Sequence, residues 1–229
     1  SIHTPELAQE LPPWATFKFS FGHVVEALAI EYARAAGHEV TGEQDELVLD
    51  GIVGHRDCVI DGCTVDVKSA SSISFTKFKS GTFDDLFGYL DQLDGYVLAA
   101  VSDPLVRVID RGYLLIVDKQ LGHMHLHKHG VTDERERTLR ARIRRYKDIV
   151  ARTDPPACEC EIINEGASGN LRLDTRASYS AFKHCCHPGL RTFLYANGPV
   201  YLTKVVKRPF NKDGPIVEVD KEGKVVYNY

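Results

Sequence analysis

The dipeptide Asp61-Gly62, set between the β-rich runs 52–60 and 63–69, constrains the fold of this chain more than any other feature. Asp-Gly suits the two positive-φ positions of a type I′ turn, and a two-residue loop between such runs sets both a hairpin and its register. In that register Ile60 falls opposite Cys63, Val59 opposite Thr64, Cys58 opposite Val65, and Asp57 opposite Asp66. Because side chains alternate, Cys58, Ile60, Cys63, Val65 and Val67 share an apolar face, and Asp57, Asp66 and Lys68 share the other. The first face is expected to pack and the second to carry chemistry.

Directly opposed strand residues bring their Cβ atoms to about 4.5–5.5 Å, where like charges destabilise a sheet. At about 5 Å and an effective dielectric near 20, the repulsion is on the order of 3 kcal/mol. A divalent cation reverses its sign. Hard carboxylate oxygens suit Mg²⁺ or Mn²⁺, which keep several waters and contact phosphate oxygens. Lys68 is placed to position or deprotonate a water, or to offset charge that builds on a phosphate. The competing reading is a solvent-facing hairpin with an ordinary polar face, as many antiparallel sheets have.

Along the rest of the chain, residues 21–36 place Phe21, Val24, Val25, Leu28 and Tyr32 at helical spacing, and Gly37 stops the helix. On this helix Glu26 lies beside Gly22, Ala29 and Ala33, a stripe of small residues that would let it approach a sheet closely. A short strand is expected at 47–49. Residues 69–81 read as a Ser- and Lys-rich loop, and 83–100 as a helix through Leu86, Leu90, Leu93 and Val97. Strands follow at 106–109, 113–117 and 123–127. A charged helix spans 133–150 with Leu139, Ile143, Tyr146 and Val150 on its apolar side, ended by Pro155-Pro156. Residues 158–175 show no period, whereas 200–206 and 217–226 look like strands, the latter as a hairpin over Glu222-Gly223.

Taken together, Phe21-Gly-His-Val-Val-Glu26, Gly54-His-Arg-Asp57, Asp66-Val-Lys68 and Gln92-Leu-Asp-Gly-Tyr96 resemble, in this order, the motifs of the PD-(D/E)XK nuclease superfamily. The likeness is to its RecB-like exonuclease branch, which includes phage-type and CRISPR-associated exonucleases, and it covers about the first hundred residues. It implies an α/β (α+β) fold, with a restriction-endonuclease-like core of mixed β-sheet flanked by helices over 1–150 and a Cys-containing elaboration packed on it over 151–229. It further implies that Glu26, Asp57 and Asp66 hold Mg²⁺ or Mn²⁺, with the Val67 backbone as a further candidate ligand. Lys68 would assist the nucleophilic water, and Gln92 and Tyr96 would shape the site and the DNA path. His23 is an additional candidate ligand, since some relatives place His in this first motif. The expected activity is hydrolysis of DNA phosphodiesters, most readily from a strand end, in phage or bacterial DNA replication, recombination or processing. The alternatives are a structure- or sequence-specific endonuclease on the same fold and a non-catalytic DNA-binding module.

The cysteines depart from the pattern. Several RecB-like exonucleases hold an iron-sulfur cluster through one Cys before the nuclease motifs and three after, but here no Cys precedes Glu26. Cys158, Cys160, Cys185 and Cys186, with His184 and His187 beside them, remain candidates for a zinc or cluster site, weighed against a reading as buried or incidental thiols. Six cysteines in 229 residues are too few for a disulfide scaffold, so a reducing cytoplasm, of a bacterium or a phage-infected host, is expected.

A net charge of −4 and pI near 6.2 argue against a passive nucleic-acid coat, so cations that meet DNA must be local. Candidates are Ser69, Lys77 and Lys79 in the loop, where Phe75 and Phe78 would stack, and Arg140 and Arg144 on the charged helix. No apolar run approaches the roughly 20 residues that cross a bilayer, and no basic segment followed by an apolar one opens the chain. The chain begins at Ser1 rather than Met, so upstream residues are expected. DNA is the expected partner, with self-association left open and no membrane.

Overall fold

Asp61 and Gly62 both adopt positive φ, 50° and 77°, the pair of left-handed conformations that a type I′ turn requires. Around this turn a five-stranded mixed sheet assembles within the unit Pro12–Asp148. The structure is a computed structural model that describes residues 5–10, 13–157 and 160–226. In chain order this unit contains helix α1 (Pro13–Ala35), strands β1 (Val40–Thr41), β2 (Glu46–Leu49), β3 (Ile52–His55), β4 (Cys58–Ile60) and β5 (Cys63–Ala70), and helices α2 (Ser72–Ser80) and α3 (Tyr89–Ala99). Strands β6 (Val108–Asp118) and β7 (Met124–Gly130) and helix α4 (Asp133–Val150) follow. The sheet order is β1-β4-β5-β6-β7, antiparallel except for the parallel pair β5/β6. Helices α2 and α3 supply the crossover that a parallel pair needs.

The mixed α/β architecture expected from the sequence is present, and the hairpin register is as derived: Cys58↔Val65, Val59↔Thr64, Ile60↔Cys63. Cys58, Val65 and Val67 turn to α1 and pack on Val25, Ala29 and Ile30. On the opposite face Ala70, Leu114 and Ile116 pack against Leu93 and Val97 of α3 and Phe75 and Phe78 of α2. Gly112 of β6 makes this approach close, since a Cβ there would lie 2.7 Å from Leu93 Cδ1. Strand β5 is therefore covered on both faces, and Thr64 and Asp66 are fully buried. Burial removes the reading of an outward-facing polar hairpin.

Several expectations are corrected. Helix α1 starts earlier and buries Val25, Ala29 and Ile30, while Phe21, Val24, Leu28 and Tyr32 are exposed. The buried face is that of Val25, Ala29 and Ile30, which pack on Val67, Cys58 and Val65, while a Cβ at Gly22 would meet nothing within 4 Å. Residues 69–81 are not a loop, since α2 occupies most of them. Ser71 caps it by accepting the Ser74 N–H at 3.3 Å, and Gly81 closes it at φ 69°. Phe75 and Phe78 point into the core and are not free to stack on DNA.

Helix α3 starts only at Tyr89, because Gly88 is left-handed and the Asp85 carboxylate accepts the N–H groups of Tyr89 and Leu90 at 2.7 and 3.0 Å. The runs 106–109 and 113–117 belong largely to the single strand β6. Helix α4 has the expected bounds, with Leu139 and Ile143 buried but Tyr146 and Val150 exposed.

The run 52–60 is not one strand. It breaks at Arg56 and Asp57, and β3 pairs instead with β2 from Glu46↔His55 to Leu49↔Ile52. Arg56 holds the break. Its guanidinium is fully buried, with Nη2 donating to Asp45 Oδ2 at 2.6 Å, Nε donating to Gly42 O at 3.1 Å, and Nη1 2.6 Å from Asp103 Oδ2.

The second unit comprises Ser1–Leu11 and Ile149–Tyr229. Its elements are a short 3₁₀ turn at Pro5–Leu7, β8 (Ile162–Glu165), β9 (Asn170–Leu173), α5 (Thr175–Tyr179), α6 (Lys183–Cys186), β10 (Arg191–Tyr195), β11 (Gly198–Lys204), β12 (Phe210–Asn211), β13 (Gly214–Pro215) and β14 (Val217–Val219). An antiparallel sheet in the order β14-β10-β11-β9-β8 buries Phe193 and Leu202, with Ile216. Strands β8 and β9 lie in the stretch that showed no period, being too short to display one. The expected hairpin over 217–226 reduces to β14, a turn, and a single bridge Val219↔Val225. Among the described residues no helix is long and apolar enough to cross a membrane.

Arg56→Ala leaves Asp45 and Asp103 without their cation, and is expected to lower stability by about 3 kcal/mol, within the range for breaking a buried ion pair. Urea denaturation measures this, and an unshifted midpoint would refute the clamp.

Candidate active site

The break at Arg56 shapes the site. With Ile60 and Cys63 flanking the turn, hydrogen-bonded pairs alternate along the ladder, so the pair after Cys58/Val65 would be Arg56/Val67. The chain instead turns away, and Arg56 N–H bonds to Asp45 O at 3.2 Å. The Val67 N–H on that edge is taken by the carboxylate of Asp57, whose Oδ2 accepts it at 2.6 Å. The expected apposition of Asp57 and Asp66 by strand pairing is thereby corrected. Asp57 stands beyond the ladder with its side chain folded onto the β5 backbone. The two carboxylates are still neighbours, since the charge of Asp66 acts on Asp57.

Glu26 approaches from α1. Its Oε1 accepts the side-chain N–H of Gln44 at 2.7 Å, and its charge reaches both Asp57 and Asp66. Gln44 also donates its backbone N–H to Asp57 O at 3.2 Å, from a left-handed conformation at φ 54°. His23 is mostly exposed, with Nδ1 3.8 Å from Glu26 Oε2.

On the α3 side, Lys68 Nζ lies 2.7 Å from Asp66 Oδ2 and donates to Gln92 Oε1 at 3.0 Å. Gln92 Nε2 donates to Tyr96 Oη at 2.8 Å. Gln92 and Tyr96 stand one helical turn apart and so share a face. The Tyr96 ring rests against Gly54, where a Cβ would lie 2.9 Å from Cε1. Lys68 Nζ also sits 5.2 Å from the centroid of the Tyr89 ring.

The site is electrostatically costly. Burial, then the charge of Asp66, push Asp57 up to about 7 against the Val67 N–H, which lowers it. Asp66 is raised chiefly by burial, with Lys68 opposing. Lys68 Nζ meets Asp66 Oδ2 at 2.7 Å, whereas the buried Oδ1 has no hydrogen-bond partner among the described residues. For Lys68 burial works against the charge, but Asp66 outweighs it and the ammonium is held above its ordinary value. In contact with Asp66, Lys68 is thus held as a cation.

The buried Asp66 carboxylate, with Oδ1 unpartnered and Oδ2 met by the Lys68 ammonium, is a hard, anionic donor of the kind Mg²⁺ or Mn²⁺ takes. As arranged, no three His, Cys, Asp or Glu side chains converge enough to hold a metal ion among the described residues. Asp57 is turned to Val67, and Lys68 covers Asp66. Val67 meets the cluster through its N–H to Asp57. Glu26, Asp57, Asp66, Lys68, Gln92 and Tyr96 are nonetheless joined by contacts or mutual fields.

The candidate DNA contacts are more scattered. Ser69 is exposed next to Lys68, and Lys77 and Lys79 are exposed on α2. Arg144 is exposed on α4, but Arg140 is engaged by Asp50 at 2.5 Å and Glu136 at 2.8 Å. Arg140 therefore braces α4 against the β2–β3 turn.

In the second unit Cys160 and Cys185 are free thiols, Cys186 is disulfide-bonded, and Cys158 lies outside the described residues. A disulfide sulfur is not a thiolate, so Cys186 does not serve as a ligand in this state.

Gln44 and Arg56 were not singled out from sequence. A Gln in a polar loop and an Arg beside a motif Asp carry no local signal, and only their tertiary partners reveal them. No family model matches the chain, and no curated protein matches it.

A carboxyl raised from 3.8 in the unfolded chain to about 7 in the fold holds an extra native proton between those values. Its stabilising contribution is full below about pH 4 and is lost as pH rises through about 7. In chelator, the stability attributable to this site is expected to fall across that window, and Asp57→Asn is expected to flatten the fall. Thermal unfolding of both proteins against pH is the measurement, and parallel curves would contradict the shift.

Proposed function

We propose that the chain is a divalent-metal-dependent DNA nuclease, cutting phosphodiester bonds from a strand end in phage or bacterial DNA replication, recombination or processing. The observation that carries this reading is Asp66: a fully buried carboxylate whose Oδ1 has no hydrogen-bond partner and whose Oδ2 meets the Lys68 ammonium at 2.7 Å, within the field of Glu26 and beside Asp57. A structural Asp would be expected to have its oxygens satisfied, and clustered, strongly shifted acids beside a Lys mark a working site. The order of the residues along the chain, in the pattern resembling PD-(D/E)XK nucleases, is independent of that geometry.

Bound Mg²⁺ or Mn²⁺ would supply Lewis acidity at the phosphate and a water that ionises near neutral pH. Asp66 and Asp57 would hold it, with Glu26 completing the acidic set from α1. Gln44, bonded to Glu26 Oε1, would keep that carboxylate aimed at the cluster. Lys68, tethered to Gln92 Oε1, would present its ammonium to the attacking water and the phosphate oxygens. Tyr96, seated on Gly54, fixes Gln92 in turn. Exposed Lys77 and Lys79 offer cations to the DNA backbone despite the net negative charge of the chain.

Lys68→Ala and Asp66→Ala are each expected to reduce Mg²⁺- or Mn²⁺-dependent release of nucleotides from end-labelled linear DNA by about 10²- to 10³-fold, as when an electrostatic catalytic group is lost. Undiminished release by both variants would sink the site. Covalently closed circular DNA should resist the enzyme; its efficient cleavage would make the activity endonucleolytic. A protein inert with each metal and DNA form would be a binding module.

A further inference from the structure

Strand β7 carries a histidine at every second position, His125, His127 and His129, alternating with exposed Leu126 and Lys128. Alternation puts the three imidazoles on one face, and ring contacts show that this face meets α2 and the connection 81–88 between α2 and α3. The Phe75 ring centroid lies 6.4 Å from that of His125, at an interplanar angle of 84°. His127 is seated between two rings. Its centroid is 5.2 Å from that of Phe83 and 6.4 Å from that of Phe78, both edge to face at 82° and 67°. Phe78 and Phe83 stack on each other at 4.2 Å. One imidazole thus supports the pair of rings that ties the end of α2 to the connection.

A neutral imidazole suits this seat and an imidazolium does not. Burial, then His129 and His125 beside it on β7, hold His127 below the ordinary imidazole range. The neighbouring carboxylates are engaged elsewhere. From α3, Asp94 is held by His129 Nε2 at 2.7 Å and accepts from Arg135 Nε of α4 at 2.7 Å. In the connection, Asp85 accepts the N–H groups of Tyr89 and Leu90, and Asp84 is exposed. From α2, Lys77 and Lys79 are exposed and have the wrong sign, and β6 sets apolar Leu114 opposite His127. A proton on His127 therefore adds a charge to a half-buried row of histidines with no acid turned to it.

We propose that His127 is an acid-sensitive anchor: neutral, it holds Phe78 and Phe83 on the sheet, and protonation releases the end of α2 and the connection that leads into α3. Because α3 carries Gln92 and Tyr96, the release acts next to the acidic cluster, but the anchor does not depend on the nuclease reading. A histidine held below its unfolded value of 6.5 binds fewer protons in the fold than in the opened chain. Its contribution is full above about pH 6.5 and is lost as pH falls below that value. The raised carboxyl of Asp57 works in the opposite direction, so the readout must be local.

The test is amide hydrogen exchange in chelator and without DNA, at about pH 7.5 and about pH 5.5, with rates corrected for the intrinsic effect of pH. In wild-type protein, peptides covering 72–88 are expected to lose protection by roughly 3- to 10-fold at the lower pH, the upper figure being the limit for one proton taken up a unit below 6.5. Peptides from β4 and β5 should keep theirs. His127→Phe, which retains a ring in the seat, should protect 72–88 equally at both pH values. His127→Gln cannot titrate either and should also show no pH step, at a lower level of protection, which decides the matter even where Phe does not fit. Unchanged wild-type protection across the two pH values, or a loss in both variants as large as in wild type, overturns the anchor. Failure of the nuclease reading appears only in the cleavage assay and failure of the anchor only here.

Discussion

The buried guanidinium of Arg56 is the contact on which the acidic centre depends. A charge this deep persists only because Asp45 and Asp103 neutralise it and Gly42 supplies a carbonyl. Gly42 is small and left-handed at that point, and a Cβ there would collide with Nη2 at 2.5 Å. The same clamp ends β4, swings β3 away to pair with β2, and holds the loop that carries Gln44. Asp57 and the Gln44–Glu26 pair are presented by one electrostatic knot, and the free edge of β5 that Asp57 occupies exists because β4 stops there.

Strand β5 then sets what chemistry is available. Its residues alternate between α1, which covers Val65 and Val67, and α3, which covers the side of Asp66 and Lys68. Covering both faces takes Asp66 out of water, and removal from water gives the cluster its raised carboxyls and its firmly charged Lys68. Like charges gathered in a dry place lower stability. A fold that keeps such a group departs locally from the best-packed arrangement, as functional centres commonly do. Both α3 motif residues serve this strand, Gln92 by gripping Lys68 and Tyr96 by gripping Gln92 while lying on Gly54.

Much of this was legible in the chain. The Asp61-Gly62 turn and the three pairs next to it follow from local rules, because a two-residue turn leaves the register no freedom. The face assignment of Cys58, Val65 and Val67 follows from alternation, and the i, i+4 spacing of Gln92 and Tyr96 places them together on α3. Helix α2 was missed because its serines and lysines mask a pattern of only Phe75 and Phe78, which read as exposed stacking rings and proved to be core. Helix α1 was recognised, but its larger apolar residues Phe21, Val24, Leu28 and Tyr32 pointed to the wrong face.

By itself the sequence determined the hairpin, its register, the alternation of its faces, and the set of acidic and basic residues that share them. These depend on neighbours within a few residues, where turn geometry and strand periodicity leave few choices. Tertiary structure alone decided that Asp66 is buried, that β4 breaks at Arg56, and that Asp57 meets Val67 rather than standing across from Asp66. It also decided that Gln44 steadies Glu26. Each of these turns on a partner distant along the chain, Asp103 for Arg56, Gln44 for Glu26, α3 for Asp66, and the competition between packing and desolvation that selects such partners leaves no periodic trace in the residues themselves.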